Sequence, residues 1–364
     1  MALDTGKKIL ILVPGENARG GITNYYHSIK KDFSYEVDYF YRGSRTFPFK
    51  KSFFQPFKDI RRYFLAVRKK EYVLVQTSTS LDPVSIVRDS IFIILAKLYR
   101  KKVVIFIRGW HYGFDETFEK KYLWFFKKVF YKADAFIELS EEHKKSWRGW
   151  GFKKPVFIET TLVDKNLVKD FREEMITEKF ENMNTIEILF LSRIEKAKGI
   201  YESIEAFDLL QKKYPACRLS IAGDGRETDK VKEFIAEKNI SGITFLDHVS
   251  GGKKIACYKN SHIYIFPSYS EGMPNSVLEA MIFGLPIVTR KVGGLVDFFK
   301  NGVNGYFTDS KDPKVFYEFM DNLLSNKDTM KKIAITNHRY AKENFLSSNV
   351  AKRLEKIFDE VLQN

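Results

Sequence analysis

Short apolar runs rich in β-branched and aromatic residues alternate with stretches of helical period along the whole chain. In the first half the runs predict strands at Lys8–Val13, Glu36–Tyr41, Tyr72–Gln76, Val103–Ile107, Ala135–Leu139 and Val156–Glu159. Helical patterns fall between them near Gly21–Lys31, Phe54–Lys70, Pro83–Tyr99, Phe118–Tyr131 and Glu141–Trp150. The pattern lapses over 165–184, which reads as a hinge, and then restarts. Strands are expected at Ile186–Leu191, Arg218–Ala222, Ile243–Leu246, Ile263–Phe266, Pro286–Thr289 and Gly305–Phe307, with helices including Gly199–Lys213, Asp229–Lys238 and Ser276–Phe283. Strand–helix alternation predicts parallel sheets covered on both faces. The expected fold is α/β: two Rossmann-like doubly wound parallel-sheet domains, 1–165 and 185–345, facing a central cleft, where ligands of open α/β sheets bind.

Composition narrows this picture. With 44% hydrophobic, 15% aromatic and 29% charged residues, disorder is excluded as the dominant state. Two cysteines, Cys217 and Cys257, exclude a disulfide framework and a multi-cysteine zinc site, and point to a reducing compartment. The opening apolar run, Ile9–Val13, is cut by Pro14-Gly15 and reads as a first strand, not a leader. The next longest, Ile91–Ala96, is far short of the roughly 20 residues that span a bilayer. Charge is lopsided. Residues 1–180 hold 35 Lys/Arg against 22 Asp/Glu, whereas 181–364 hold 26 against 24. All four tryptophans (Trp110, Trp124, Trp147, Trp150) also lie in the first half, which suits an anionic partner.

The densest chemical signal is FPSYSEGMPNSVLE, Phe266–Glu279. A buried strand ends at Phe266, a Pro/Gly/Ser-rich loop carries Glu271, and a helix opens near Ser276 with Glu279 in its first turn. Backbone N–H groups from Gly272 onward suit an anion or sugar hydroxyls beside the positive helix end. Ser276-x-x-Glu279 also reads as a capping box, which leaves Glu271 without a purpose. A second signal is Ser192-Arg193…Lys198-Gly199 after another strand. Arginine grips phosphate oxygens as a fork and lysine acts as a point charge.

At these residues the chain resembles the retaining family-4 glycosyltransferases of the GT-B fold, whose donor domain carries Glu-x7-Glu in a segment like Glu271–Gly294. The resemblance is strong over most of 186–310 and weak in the N-terminal half. It implies that Glu271 contacts the donor sugar and Glu279 the ribose, with Gly272, Met273, Pro274 and Asn275 completing the loop. It assigns Arg193 and Lys198 to the donor diphosphate, whose departure they would stabilise. Gly223-Asp224-Gly225 looks like the family's Gly-Asp-Gly turn, although Arg226 stands where proline is usual. His248 and Val249 fall where the family lines the nucleotide base. Pro14–Gly21 does not fit G-x-G-x-x-G but resembles the family's Gly-Gly loop, with Gly20 and Gly21 facing the donor phosphates. His111, after the strand Val103–Ile107, is the candidate to face the sugar and acceptor, and Arg108 is its rival; Tyr112 breaks the family pattern there. A C-terminal helix of about 346–364, containing the amphipathic run Val350–Val361, is expected to pack back on the first domain.

The implied reaction moves a sugar from a nucleotide sugar to an acceptor hydroxyl with retention, in cell-surface polysaccharide biosynthesis. The donor would be a UDP-sugar, with a GDP-sugar as the alternative, and no cofactor would stay bound. No Asp-x-Asp motif is present, so no metal is expected. Aromatics interleave with cations over 45–70 and again over 122–132, a mixture suited to a membrane interface. The expectation is therefore a cytoplasmic protein peripheral to the inner membrane face, acting on a glycan or polyprenyl-diphosphate-linked acceptor. A nucleotide-sugar epimerase of the same fold is the nearest rival. A basic nucleic-acid-binding protein is the rival of another class, without a helix-turn-helix, zinc or RNP pattern to support it.

Overall fold

The computed structural model describes residues 6–15, 21–43, 54–109 and 117–364. The chain divides into two compact units, 1–162 with 347–364, and 163–346.

In the first unit the strands are β1 (Lys8–Pro14), β2 (Val37–Arg42), β3 (Tyr72–Ser80), β4 (Lys102–Gly109), β5 (Ala135–Glu138) and β6 (Val156–Ile158). All pair in parallel, in the order β2-β1-β3-β4-β5-β6. Strands β1 and β4 are apolar almost without interruption because helices cover both faces, whereas the second half of β3, Gln76–Ser80, is polar and mostly buried. Those helices include α1 (Gly21–Ile29), α2 (Gln55–Val67), α3 (Pro83–Leu98), α4 (Leu123–Val129) and α5 (Glu141–Gly149). Asp82 caps α3 by accepting from the Ser85 N–H at 2.9 Å, and Pro83 occupies its first turn. A core of rings fills the far end: Phe126 stacks on Trp147 at 5.1 Å and on Phe130 at 3.9 Å.

The second unit repeats the plan with β7 (Ile186–Leu191), β8 (Cys217–Ala222), β9 (Ile243–Phe245), β10 (Ile263–Phe266), β11 (Ile287–Arg290) and β12 (Gly305–Thr308). Their order is β12-β11-β10-β7-β8-β9, again all parallel. Its helices include α6 (Glu173–Glu181), α7 (Ile200–Lys213), α8 (Thr228–Glu237), α9 (Gly251–Asn260), α10 (Asn275–Ile282), α11 (Pro313–Ser325) and α12 (Lys327–Asn344). Both units are therefore Rossmann-like. The C-terminal α13 (Ser347–Gln363) lies in the first unit, where Arg353 grips the buried Glu159 through Nη2 at 2.6 Å and Nε at 2.9 Å.

The stretch 165–184 is not a hinge of irregular chain. It contains α6, which packs in the second unit through Ile176 and Phe180 and a two-pronged Glu173–Arg339 pair at 2.6 and 2.7 Å. The sequence hid this helix because only two of its nine positions are buried, too few to show a period. Among the described residues no helix is long and apolar enough to cross a membrane.

A buried histidine should contribute acid sensitivity to the second unit. His262 accepts the Glu187 N–H at Nδ1 (3.1 Å), and burial, then the Lys179 charge, pushes its pKa down to about 4. Unfolded, the ring titrates near 6.5, so between the two values the unfolded chain binds more protons. The contribution of His262 should be intact above pH 6.5 and be lost towards pH 4. Denaturant midpoints measured across that range should drop in the wild type and drop less in His262→Gln, where the buried His338 still titrates.

Candidate active site

The sheet order of the second unit turns at β7 and β10, which are neighbours although Ile188 and Ile263 are far apart in sequence. Connections leave these two strands towards opposite ends of the sheet, so the loops after them part at their carboxyl ends. That is where open α/β sheets bind ligands. The loop after β7 carries Arg193 and Lys198, and the loop after β10 carries Glu271. Backbone bonds stitch them together: Tyr269 N–H donates to the Ala197 carbonyl at 2.9 Å. Gly199 takes φ +75°, and a Cβ there would stand 2.3 Å from the Pro267 carbonyl oxygen, so only glycine allows this approach.

The two loops bring Lys198 Nζ to 2.5 Å from Glu271 Oε1, with both side chains mostly buried. Ser268 Oγ donates to the same carboxylate oxygen at 2.8 Å. Arg193 does not join this group. Its guanidinium pairs with Glu195 at 2.8 Å, and its side chain is 66% exposed.

Glu279 lies on α10, and its contacts overturn the capping-box reading. The helix begins at Asn275 after Pro274, with no side-chain cap at its start. Glu279 is buried and its carboxylate turns inward, accepting from Lys254 Nζ at 2.7 Å and Tyr258 OH at 2.9 Å. Burial, with the Glu279 charge adding to it, raises the Tyr258 phenol well above its ordinary range, so it stays a proton donor. Lys254 and Tyr258 both come from α9 and were not legible as site residues. Gly251-Gly252 at its start reads as a turn, and no spacing links α9 to the glutamates.

The Gly272–Asn275 turn is pinned from below. Gly294 N–H donates to the Gly272 carbonyl at 2.8 Å, and Gly293, at φ +49°, lies against the Glu271 and Gly272 carbonyls. Met273 and Pro274 are buried, and Asn275 Oδ1 is buried without a partner among the described residues. Gly223 N–H donates to the Asp247 carbonyl at 2.7 Å, while the Asp224 carbonyl accepts from Ile194 N–H at 2.8 Å. This turn therefore braces the Arg193 loop. The Asp224 side chain is exposed, as is His248, whereas Val249 is buried.

In the first unit the turning point lies between β1 and β3. A cavity of about 890 Å³ opens there, lined by Gly15, Gly21, Arg42, Asp59, Ser78, Ser80, Val84 and Arg88 among others. Asp89 holds both arginines, pairing with Arg42 and with Arg88 Nε at 2.7 Å. Arg108, at the end of β4, stacks over the Tyr25 ring at 3.8 Å, with Nη1 lacking a partner among the described residues. Gly20 and His111 lie outside the described residues.

The second unit thus holds a loop pair of paired charges and backbone donors at a sheet's turning point, an arrangement that can take a phosphorylated, hydroxyl-rich ligand. Residues 171–340 match the family model described as Glycosyl transferases group 1. The capsular polysaccharide biosynthesis glycosyltransferase CapM of Staphylococcus aureus is 24% identical over 227 residues, covering 62% of this chain and 58% of CapM. An uncharacterized glycosyltransferase of Methanocaldococcus jannaschii is 26% identical over 323 residues, covering 83% of this chain and 78% of that protein. The structure of Anabaena HepE in complex with UDP superposes with a TM-score of 0.76 at 17% identity, over 97% of this chain and 100% of that one. The fold is that of the GT-B neighbours, and residues 171–340 are similar to the group 1 glycosyl transferases; the chain spans 58% of the length of CapM.

Proposed function

We propose that this protein is a retaining, metal-independent glycosyltransferase of the family-4 type, moving a sugar from a UDP-sugar to a hydroxyl of a glycan or lipid-linked saccharide. The observation that carries the proposal is the pairing of Lys198 with Glu271, beside a Glu279 held by Lys254 and Tyr258, inside the family-matched segment. Glu279, fixed by two donors, keeps its remaining lone pairs for the ribose hydroxyls. Glu271 faces the donor sugar. Lys198, released from Glu271 in part, meets the diphosphate as charge builds on it, and Arg193, on exchanging Glu195 for phosphate, is the second cation of this reading. Oxocarbenium-like charge develops on the sugar as the diphosphate departs. The first unit is the acceptor-binding unit of this reading, with its cavity as the acceptor pocket and Arg108 or His111 as the candidate residues. UDP in the HepE complex supports the base, and CapM supports a role in cell-surface polysaccharide synthesis. GDP-sugars are the alternative donors.

The test is a donor screen. Purified protein incubated with UDP-, GDP- and ADP-sugars should release nucleoside diphosphate from a UDP-sugar, and NMR of the glycoside should show the donor's anomeric configuration. EDTA should leave the rate unchanged. Inversion at the anomeric carbon, or loss of activity restored by Mn²⁺ or Mg²⁺, refutes the corresponding part of the proposal.

A further inference from the structure

Helices α2, α3 and α4 pack side by side over one face of the first sheet. On α3 the inner face sends Ile86, Phe92, Ile93 and Ala96 into the core. Its outer face carries Val84, Val87, Ile91, Ile94 and Leu98, alternating steps of three and four, and all five are exposed, from 37% for Ile91 to 75% for Val84. Such spacing is one continuous stripe along a helix about 24 Å long. Phe57 and Leu65 of α2 and Trp124 of α4 add to it. Nine of the thirteen large apolar side chains that stand exposed among the described residues belong to α2, its preceding residue Phe54, α3 and α4.

Charge on these helices has one sign at the surface. Lys58, Arg61 and Arg62 on α2, and Lys127 and Lys128 on α4, are exposed. The acids, Asp59 and Asp89, are both buried: Asp89 accepts from Thr79, and Asp59 accepts from Gly43 N–H and, at 3.4 Å, from the exposed Arg62. An apolar stripe flanked by cations fits a surface that is apolar within and anionic at its boundary. A second copy of the chain would oppose like charges.

We infer that this face seats the first unit on an anionic lipid bilayer, with α3 as its apolar keel. The docking element differs from the one the sequence suggested. Within 122–132, Phe126 and Phe130 are core rings, and Trp124 is the aromatic side chain that stands most exposed. Val84, Val87 and Ile91 also line the cavity of this unit, so the stripe runs from that cavity to the far end of α3. A lipid-linked acceptor could then pass from the bilayer into the cavity. That purpose rests on the proposed glycosyltransferase reading; the docking itself does not.

Co-sedimentation of the full chain with vesicles tests it. Mixed phosphatidylglycerol–phosphatidylcholine vesicles should bind the protein at low salt, and pure phosphatidylcholine vesicles should bind it less. Added salt should weaken binding. Ile94→Glu with Leu98→Glu, both away from the cavity, should weaken it about tenfold while preserving donor hydrolysis and thermal unfolding. Lys127→Glu with Lys128→Glu, on a separate helix, should do the same if the first pair misfolds. Unchanged binding by the variants overturns the inference. So does a wild type that ignores both vesicle types, or one that dimerises through this face without binding vesicles. Vesicle binding without nucleotide-sugar turnover would sink the proposed function and leave docking standing; turnover without vesicle binding does the reverse.

Discussion

Lys198→Ala should lower sugar transfer by about 10²–10³-fold, the usual loss when one preorganised group is removed from a charge-developing centre. Lys198 is the described cation that the fold holds against Glu271, and Arg193 is too exposed to replace it in place. The same change strands a mostly buried carboxylate with Ser268 as its remaining side-chain donor, so some stability should go too. The double variant Lys198→Ala/Glu271→Gln separates the two effects. Removing the unpaired charge should restore thermal stability without restoring turnover. Near-normal transfer by a folded Lys198→Ala protein would refute the proposed assignment of Lys198 to the diphosphate.

Gly293→Ala should raise the donor KM steeply although the residue carries no functional group. A Cβ there would stand 2.0 Å from the Gly272 carbonyl oxygen and 2.3 Å from that of Glu271. Both obstacles are backbone, so no side chain can rotate away; the Glu271 turn itself must move. The positive φ and the forced shift together should cost about 1–3 kcal/mol. Gly302→Ala is the matched control, since Gly302 takes φ +76° but a Cβ there meets nothing within 4 Å. Thermal unfolding and donor titration of the two variants decide the matter. Equal behaviour would mean that the Gly293 contact does not set the turn.

Alternation of apolar runs with helical periods was enough to read two parallel-sheet units, because strands covered on both faces, such as β1 and β4, are apolar at nearly every position. The polar half of β3, Gln76–Ser80, is the exception and lay outside the expected strand but for Gln76. Candidate groups were nameable from local spacing, since Glu271 and Glu279 share one loop and helix and Arg193 and Lys198 share another. Closeness in the chain did not make them meet, as Arg193 pairs with Glu195 and not with the Lys198–Glu271 group. Composition also revealed the basic bias of the first half.

Tertiary structure alone decided the partners. Lys198 meets Glu271 because β7 pairs with β10, a neighbour relation set by the direction of the crossover helices. Glu279 looked like a cap, yet it faces α9, whose lysine and tyrosine lie 25 and 21 positions away. Helix α3 is rich in apolar residues, so its period is blurred in sequence. Only the sheet beneath it determines that Ile93 is buried while Ile94, its neighbour in the chain, stands in solvent. A sequence records what each residue can do at short range. Which groups meet across the chain follows from packing, where one buried face fixes the direction of every other side chain on the element.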